Sequence, residues 1–409
     1  QPPQMPSPAP STSSHPCFER SRDNIPAWLS RLDKDDDMCL GSVVRLVRNL
    51  PDSPFPGWST ENSRREVFER LAGTLCEIDE LGISDVSEFT EMCDLSFRER
   101  RIMLERKIIT PCMAARQKGC YVAVNRQATV CVMINEEEHL VIHFMGRGSL
   151  AARNCKRATA VASALDARFS FAKQEKLGYL VSNPQEVGDG MQFYQILHLP
   201  ALALSGMIEP SSRAAEKLQC TLTPLFARDA NDGEDDAHCF LLCASPAPLG
   251  TFAQQAQAIL GLSHELERRE LQMRYKLTQR VDSPLVDQIC RSYAILSYAH
   301  LLSYKEMKMH ISIMLLALSI GIITAYDPRS TQQAKNHIAA DLCRLSPGCI
   351  GHSGRDDGGE GGNEAPESNN QTDSEEEDLH EVPEEAVRAV CIRGTLGHPP
   401  LIISPIYSF

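Results

Sequence analysis

The residues with the clearest chemical potential are Asn135-Glu136-Glu137-Glu138-His139-Leu140, where three carboxylates follow one strand-like run and precede another. Two readings stand. Three acids at a strand junction make a solvated turn, and taken alone that is the simpler reading. The other is a carboxylate poised to take a proton from a nucleophile, as a general base does. A second segment, Lys176 to Gly190, carries Gly178, Gly188 and Gly190 between strand-like runs. Such a turn can bring backbone close to a ligand, and it can equally be an ordinary turn. The fifteen cysteines are scattered without a C-x-x-C pair, and Cys39, Cys131 and Cys290 sit in apolar runs. Buried reduced thiols are expected, with no zinc site and no metal held by protein ligands.

These clusters need elements to position them. Leu40–Leu50 reads as a strand, closed by a turn at Pro51-Asp52-Ser53-Pro54. Val67, Leu71, Leu75 and Ile78 recur at helical spacing, with Ser59 or Thr60 as N-cap. Arg98–Lys107 is a further helical piece, stopped by Thr110-Pro111. Tyr121–Asn125, Ala128–Asn135 and His139–Met145 read as an antiparallel meander that brackets the three acids. Ala151–Phe171 is helical, with Ala160, Ala164, Leu165 and Phe169 on one side. Gly178–Val181, Gln192–Pro200, Cys220–Phe226 and Cys239–Ala244 are further strands. Helices and strands mix without strict alternation. The expected class is therefore α+β: an antiparallel sheet flanked by helices, followed by a small all-helical C-terminal domain. Phe252–Tyr275, Pro284–Leu302, Lys305–Tyr326 and Thr331–Leu342 supply the late helices.

The chain has 409 residues, 42% hydrophobic and 23% charged, which excludes a wholly disordered or fibrous protein. Its net charge of −13 is unevenly placed. Thirteen acidic and two basic residues lie between Arg355 and Arg388, so the rest carries only −2. The expected organisation is a disordered Pro/Ser-rich segment 1–24, a mixed unit 25–262, a helical domain 263–348, and an acidic disordered tail 349–409 with an apolar end. That end either docks or is simply apolar. No stretch reads as a secretory signal, and Ile311–Ala325 is too short and too interrupted to span a bilayer. A cytoplasmic protein with no membrane association and no nucleic-acid partner is expected.

Taken together, the motifs resemble the guanidino phosphotransferases, creatine and arginine kinases among them, and most closely the bacterial protein-arginine kinases. Gly41-Ser42-Val43-Val44-Arg45-Leu46-Val47-Arg48-Asn49 is similar to that family's S-S-R-x-R-x-x-R-N strand. Ile134–Leu140 resembles I-N-E-E-D-H-L, Glu175–Leu180 resembles E-K-L-G-Y-L, and Leu197–Leu202 resembles L-H-L-P-A-L. Leu104-Glu105-Arg106 through Thr110-Pro111 resembles L-E-R-x-x-I-S-P. The likeness spans residues 25–345 in order. Tyr293–Leu296 and Ala299–Ser303 add a looser likeness to the bacterial accessory domain, which supports oligomerisation and phosphoarginine recognition. By that likeness, Arg329, Ser330 and Thr331 at a helix start are candidates for an anion pocket.

The resemblance implies transfer of the ATP γ-phosphoryl group to a guanidinium, with arginines and Mg²⁺ around the triphosphate. It places the base at Glu137. Of the phosphate arginines, Arg45 is kept, whereas Val43, Val141 and Gln192 stand where others belong. Arg228 fills the last only with shifted spacing, and Glu234, in the acids that follow, is a further catalytic candidate. Asn183 replaces the substrate-loop cysteine, and Glu186 and Asp189 add negative charge. Keeping the scaffold while losing these charges predicts a degenerate pseudokinase that acts by binding, in the protein quality-control setting of its relatives. The alternative is an active, ATP-dependent protein-arginine phosphotransferase with a rearranged site, compensated by Arg147, Arg153, Lys156 or Arg157. ATP and Mg²⁺ are implied as cofactors if it is active, and none if it is not. Arginine-containing protein substrates or other protein partners, and a homo-oligomer, are implied as well.

Overall fold

The structure is a computed structural model describing residues 38–115, 118–146, 150–182, 187–225, 237–244, 251–279, 284–344, 346–350, 383–398 and 400–403. Segment 1–24, Arg147, Asn183, Glu186, Arg228 and Glu234 lie outside the described residues, as does most of the acidic run.

The strands are β1 (Cys39–Arg48), β2 (Thr90–Glu91), β3 (Tyr121–Val124), β4 (Val130–Ile134), β5 (Leu140–Gly146), β6 (Lys173–Gln174), β7 (Gly178–Tyr179), β8 (Met191–His198), β9 (Cys220–Pro224), β10 (Cys239–Ala244), β11 (Ile323–Ala325) and β12 (Leu401–Ile403). The helices are α1 (Glu61–Cys76), α2 (Phe97–Glu105), α3 (Pro111–Ala115), α4 (Leu150–Asp166), α5 (Pro200–Leu204), α6 (Ile208–Lys217), α7 (Phe252–Thr278), α8 (Pro284–Tyr298), α9 (Tyr304–Ile320), α10 (Thr331–Arg344), α11 (Pro347–Ile350) and α12 (Glu384–Leu396). Among the described residues, one eight-stranded sheet runs β2-β3-β4-β5-β1-β8-β10-β9, every pairing antiparallel.

Alternation along β1 divides the sheet into two faces. Val44 and Leu46 join Ile142, Phe144 and Phe193 in a core closed by α1, α4 and α7. Thr60 caps α1, and its Val67, Leu71 and Leu75 repeat every four residues toward that core. On the other face α2 and α3 lay Ile102, Met103 and Met113 over Met133, Val141 and Met145. At the β8–β10 side of the sheet, Leu40, Ile196 and Cys239 pack into the core of the helical unit α8–α10. The α+β expectation, with an antiparallel sheet and a helical C-terminal part, therefore holds.

Three expectations are corrected. In α4 the buried stripe is Ala151, Ala158, Val161, Ala162 and Leu165, and Ala160 is exposed; in a helix this rich in alanine the periodicity is shallow. The boundary at 262/263 cuts through α7, a single helix that belongs to the sheet unit. Glu270, wholly buried on α7, accepts N–H bonds from Ala201 (2.9 Å) and Leu202 (2.8 Å) at the start of α5 and pairs with Arg274 at 2.9 Å. The helical unit begins at Pro284. Nor is 349–409 a tail throughout. α12 returns to the helical unit, burying Ala389, Ile392 and Leu396, and β12 pairs antiparallel with β11. Arg388 Nη1 donates to the Leu302 carbonyl at 2.9 Å. The acidic run is thus an insertion between two parts of one unit. No helix among the described residues is long and apolar enough to cross a membrane.

Candidate functional site

The site is built on the turn between β4 and β5. Asn135 enters it with φ 64°, a left-handed conformation that asparagine tolerates better than most residues. Its Nδ2 donates to the carbonyls of Arg64 (2.7 Å) and Gly119 (2.8 Å), and its N–H closes the turn on the His139 carbonyl at 3.0 Å. At the far side, the Leu50 N–H donates to His139 Nδ1 at 3.1 Å. Nδ1 is therefore the acceptor and Nε2 carries the hydrogen toward the Pro54 carbonyl, 2.9 Å away. Burial pushes the His139 pKa down, against the pull of that carbonyl, and Phe55 stacks on the ring.

The three carboxylates have three different fates. Glu136 is buried: Arg45 Nη2 donates to it at 3.4 Å, the Thr110 hydroxyl donates to its other oxygen, and the Glu137 N–H adds a 3.0 Å bond. Burial alone would raise the Glu136 pKa. The Arg45 charge, the hydroxyl and the N–H outweigh it and hold the carboxyl below its ordinary range. Glu138 is buried too, accepting from Asn49 Nδ2 and from both the N–H (2.7 Å) and hydroxyl of Ser182. Glu137 alone of the three is exposed.

Register places the remaining sequence candidates. One cross-strand row runs Cys131–His143–Arg45–Gln192, and the next runs Met145–Val43–Tyr194–Cys243–Thr221. Val43, Arg45, Val141 and Gln192 therefore share one face. They do not share one environment. Val141 is wholly buried in the layer under α2 and α3, with Val43 packed at its edge, while Gln192 is half-buried and accepts from the Tyr194 hydroxyl. Arg45 is only 7% exposed, and its Nη1 lies 3.4 Å from His143 Nε2. Burial first, and then the Arg45 charge, push the His143 pKa down to about 3, so this imidazole is neutral. Arg153, Lys156 and Arg157 sit on α4, which covers the opposite face; Arg157 lies over the Phe144 ring. Asp189, expected to add negative charge to the site, instead accepts the Phe252 N–H at the start of α7 (2.7 Å), where a carboxylate is favoured.

Arg48 is the residue that sequence reading undervalued. It is buried, stacked 3.6 Å over Tyr179, paired with Asp166 at 3.2 Å, and bonded to the carbonyls of Val47, Asp189 and Gly190. Gly190 has φ 60°, and a Cβ there would lie 2.8 Å from the Val47 carbonyl oxygen as well as 2.6 Å from Arg48 Nη1, so glycine is required there. The signal available was an arginine next to asparagine at a strand end, which does not distinguish a ligand-binding guanidinium from a clamp. Among the described residues, one group of three possible metal ligands occurs, Glu91, Cys93 and Asp94. It lies at the sheet's edge, away from this face, and burial and neighbouring acids push the Cys93 thiol up to about 11.

This antiparallel scaffold is that of the guanidino kinases. Residues 69–232 match the ATP:guanido phosphotransferase C-terminal catalytic domain, and residues 282–340 match the protein-arginine kinase McsB C-terminal domain. A protein-arginine kinase of Exiguobacterium sp. is 31% identical over 300 residues, covering 72% of this chain and 82% of that one. A second, from Symbiobacterium thermophilum, is 26% identical over 324 residues, covering 79% and 89%. Among solved structures, the duplicated taurocyamine kinase from Schistosoma mansoni superposes with a TM-score of 0.50 at 15% identity, covering 66% of this chain and 38% of that one. The chain belongs to the ATP:guanido phosphotransferase family, among the protein-arginine kinase-like members.

Proposed function

We propose that this chain is a protein-arginine-kinase homologue that binds arginine-containing protein segments at the Glu137 side of its site and does not transfer phosphate. The supporting observation is the state of the phosphate side. Val141 is sealed in an apolar layer, Val43 and Gln192 carry no charge, and the Arg45 guanidinium is bound to Glu136 within the fold. A neutral side chain does not replace a bidentate guanidinium–phosphate contact. Among the described residues, those at the family's phosphate positions fit a triphosphate and its Mg²⁺ poorly. The exposed Glu137 carboxylate suits a guanidinium, to which it can present two oxygens.

Two assays test this reading. Phosphoarginine formation on free arginine and on an unfolded protein substrate should not exceed that of a Glu137→Gln variant. Product that forms robustly and vanishes in that variant would establish an active kinase with a rearranged site. In thermal shift, ATP with or without Mg²⁺ should leave the midpoint in place, whereas an arginine-rich peptide should raise it through Glu137.

A further inference from the structure

We infer that Glu138 is a positioning residue that locks the 178–182 segment to the turn that presents Glu137. This rests on the binding role proposed for Glu137. One carboxylate bonds to three pieces of chain: the end of β1 through Asn49, the β4–β5 turn to which it belongs, and the substrate-loop segment through the N–H and hydroxyl of Ser182.

Asn49 reinforces the bridge. Its Nδ2 also donates to the Leu180 carbonyl at 3.0 Å, and its Oδ1 accepts from the His139 N–H at 2.8 Å. Ser182 is itself exposed, whereas Glu138 is 1% exposed, so the loop is held from beneath by a charge water does not reach. Such charge-assisted bonds are stronger than neutral ones. At the other end of the loop, Arg48 holds the Asp189 and Gly190 carbonyls and Asp189 caps α7. Both flanks are thus tied to the sheet unit.

The side chain's length matters. In the motif that this turn resembles, an aspartate stands at this position. One methylene fewer withdraws the carboxylate by about 1.5 Å. A 2.7 Å bond to Ser182 then exceeds the ~3.2 Å reach of a hydrogen bond, unless the loop or the turn moves. With the turn and the segment where they stand, the bond to Ser182 needs the full glutamate side chain. The binding side is thereby preassembled: an arginyl side chain meets Glu137 and the 178–182 segment already in register.

The test uses the full-length protein and the variants Glu138→Asp, Ser182→Ala and the double variant, with an arginine-containing peptide as probe. Glu138→Asp should speed hydrogen exchange at the Ser182 amide about tenfold or more, as expected for loss of a bond to a charged group. It should weaken peptide binding by a similar factor while the global unfolding midpoint stays close to that of the parent. Ser182→Ala should weaken binding less, because the N–H bond survives, and the double variant should bind no worse than Glu138→Asp. Unchanged Ser182 exchange in Glu138→Asp would overturn the tether whether or not the peptide binds. If the parent fails to bind the peptide while exchange responds as expected, the tether stands and the binding role of Glu137 falls. If the variants lose binding only in proportion to a fall in global stability, Glu138 is structural and the positioning role is rejected.

Discussion

At the scale of single residues, identity and environment separate in ways that composition cannot express. Glu136, Glu137 and Glu138 are the same amino acid in succession, yet one neutralises Arg45, one faces solvent and one ties down a loop. The sequence pointed to Glu137 only through the resemblance, since nothing in E-E-E distinguishes the three. The same applies to the positions that stand for phosphate arginines. Val141 and Gln192 look equivalent in the motif, but Val141 is wholly buried among Met133 and Met145 while Gln192 is half-buried. An arginine at each position should therefore behave differently. Val141→Arg buries an unpaired charge and should destabilise by more than about 3 kcal/mol. Gln192→Arg can turn its guanidinium toward solvent, and its cost should stay within about 1 kcal/mol. Urea denaturation of the two variants decides this; equal losses would mean that Val141 is not enclosed as described. Nucleotide binding is worth seeking in Val43→Arg/Gln192→Arg, not in a variant that also changes Val141.

At the scale of elements, the strands were legible because alternation is strong: Val44 and Leu46 against Val43, Arg45 and Val47 mark two faces before any pairing is known. The meander and the cap at Thr60 were legible for the same local reasons. Two features were not. The assignment of α7 to the sheet unit depends on Glu270 meeting the start of α5, a contact between positions about seventy apart in the chain, and an amphipathic helix reads alike whichever layer it joins. α12 was hidden by its neighbourhood. The acids from Asp356 to Glu385 dominate any window that includes it, although Ala389, Ile392 and Leu396 already repeat at helical spacing. If α12 completes the helical unit as described, Ile392→Ala should cost about 2–5 kcal/mol, since it removes a fully buried side chain and leaves a cavity. Val390→Ala, on the exposed side of the same helix, should change stability by no more than about 0.5 kcal/mol. Denaturant titration of both variants separates a docked helix from an acidic tail, for which the two substitutions would be equally silent.

At the scale of the whole molecule, the buried histidines set an acid limit on stability. Burial is the largest cause in each case: it pushes His143 down to about 3 and His238 to about 4, and it lowers His139 and His310 as well. His238 and His198 both contact the Ser312 hydroxyl at 2.8 Å, at a junction between β8, β10 and α9. In the unfolded chain these imidazoles titrate near 6.5, so below that pH the unfolded state binds more protons than the folded one. Stability therefore falls as pH drops from about 6.5 toward 4, and His143 extends the fall toward 3. Asp341, buried between α10 and α12, acts in the opposite sense. Burial raises it from 3.8 to about 6, so its contribution is present below 3.8 and is lost as pH rises through 6. One such carboxyl offsets part of the effect of four histidines and does not cancel it. The unfolding midpoint should consequently decrease between pH 7 and pH 5 and be nearly level just above 7, when followed by circular dichroism at constant ionic strength. Asp341→Asn should raise the midpoint at pH 7 and add nothing below pH 4, where the native carboxyl is already protonated. A parent midpoint that climbs toward acid would mean that these imidazoles are not held neutral in the folded state, and that the junction between the sheet and the helical unit is open to water.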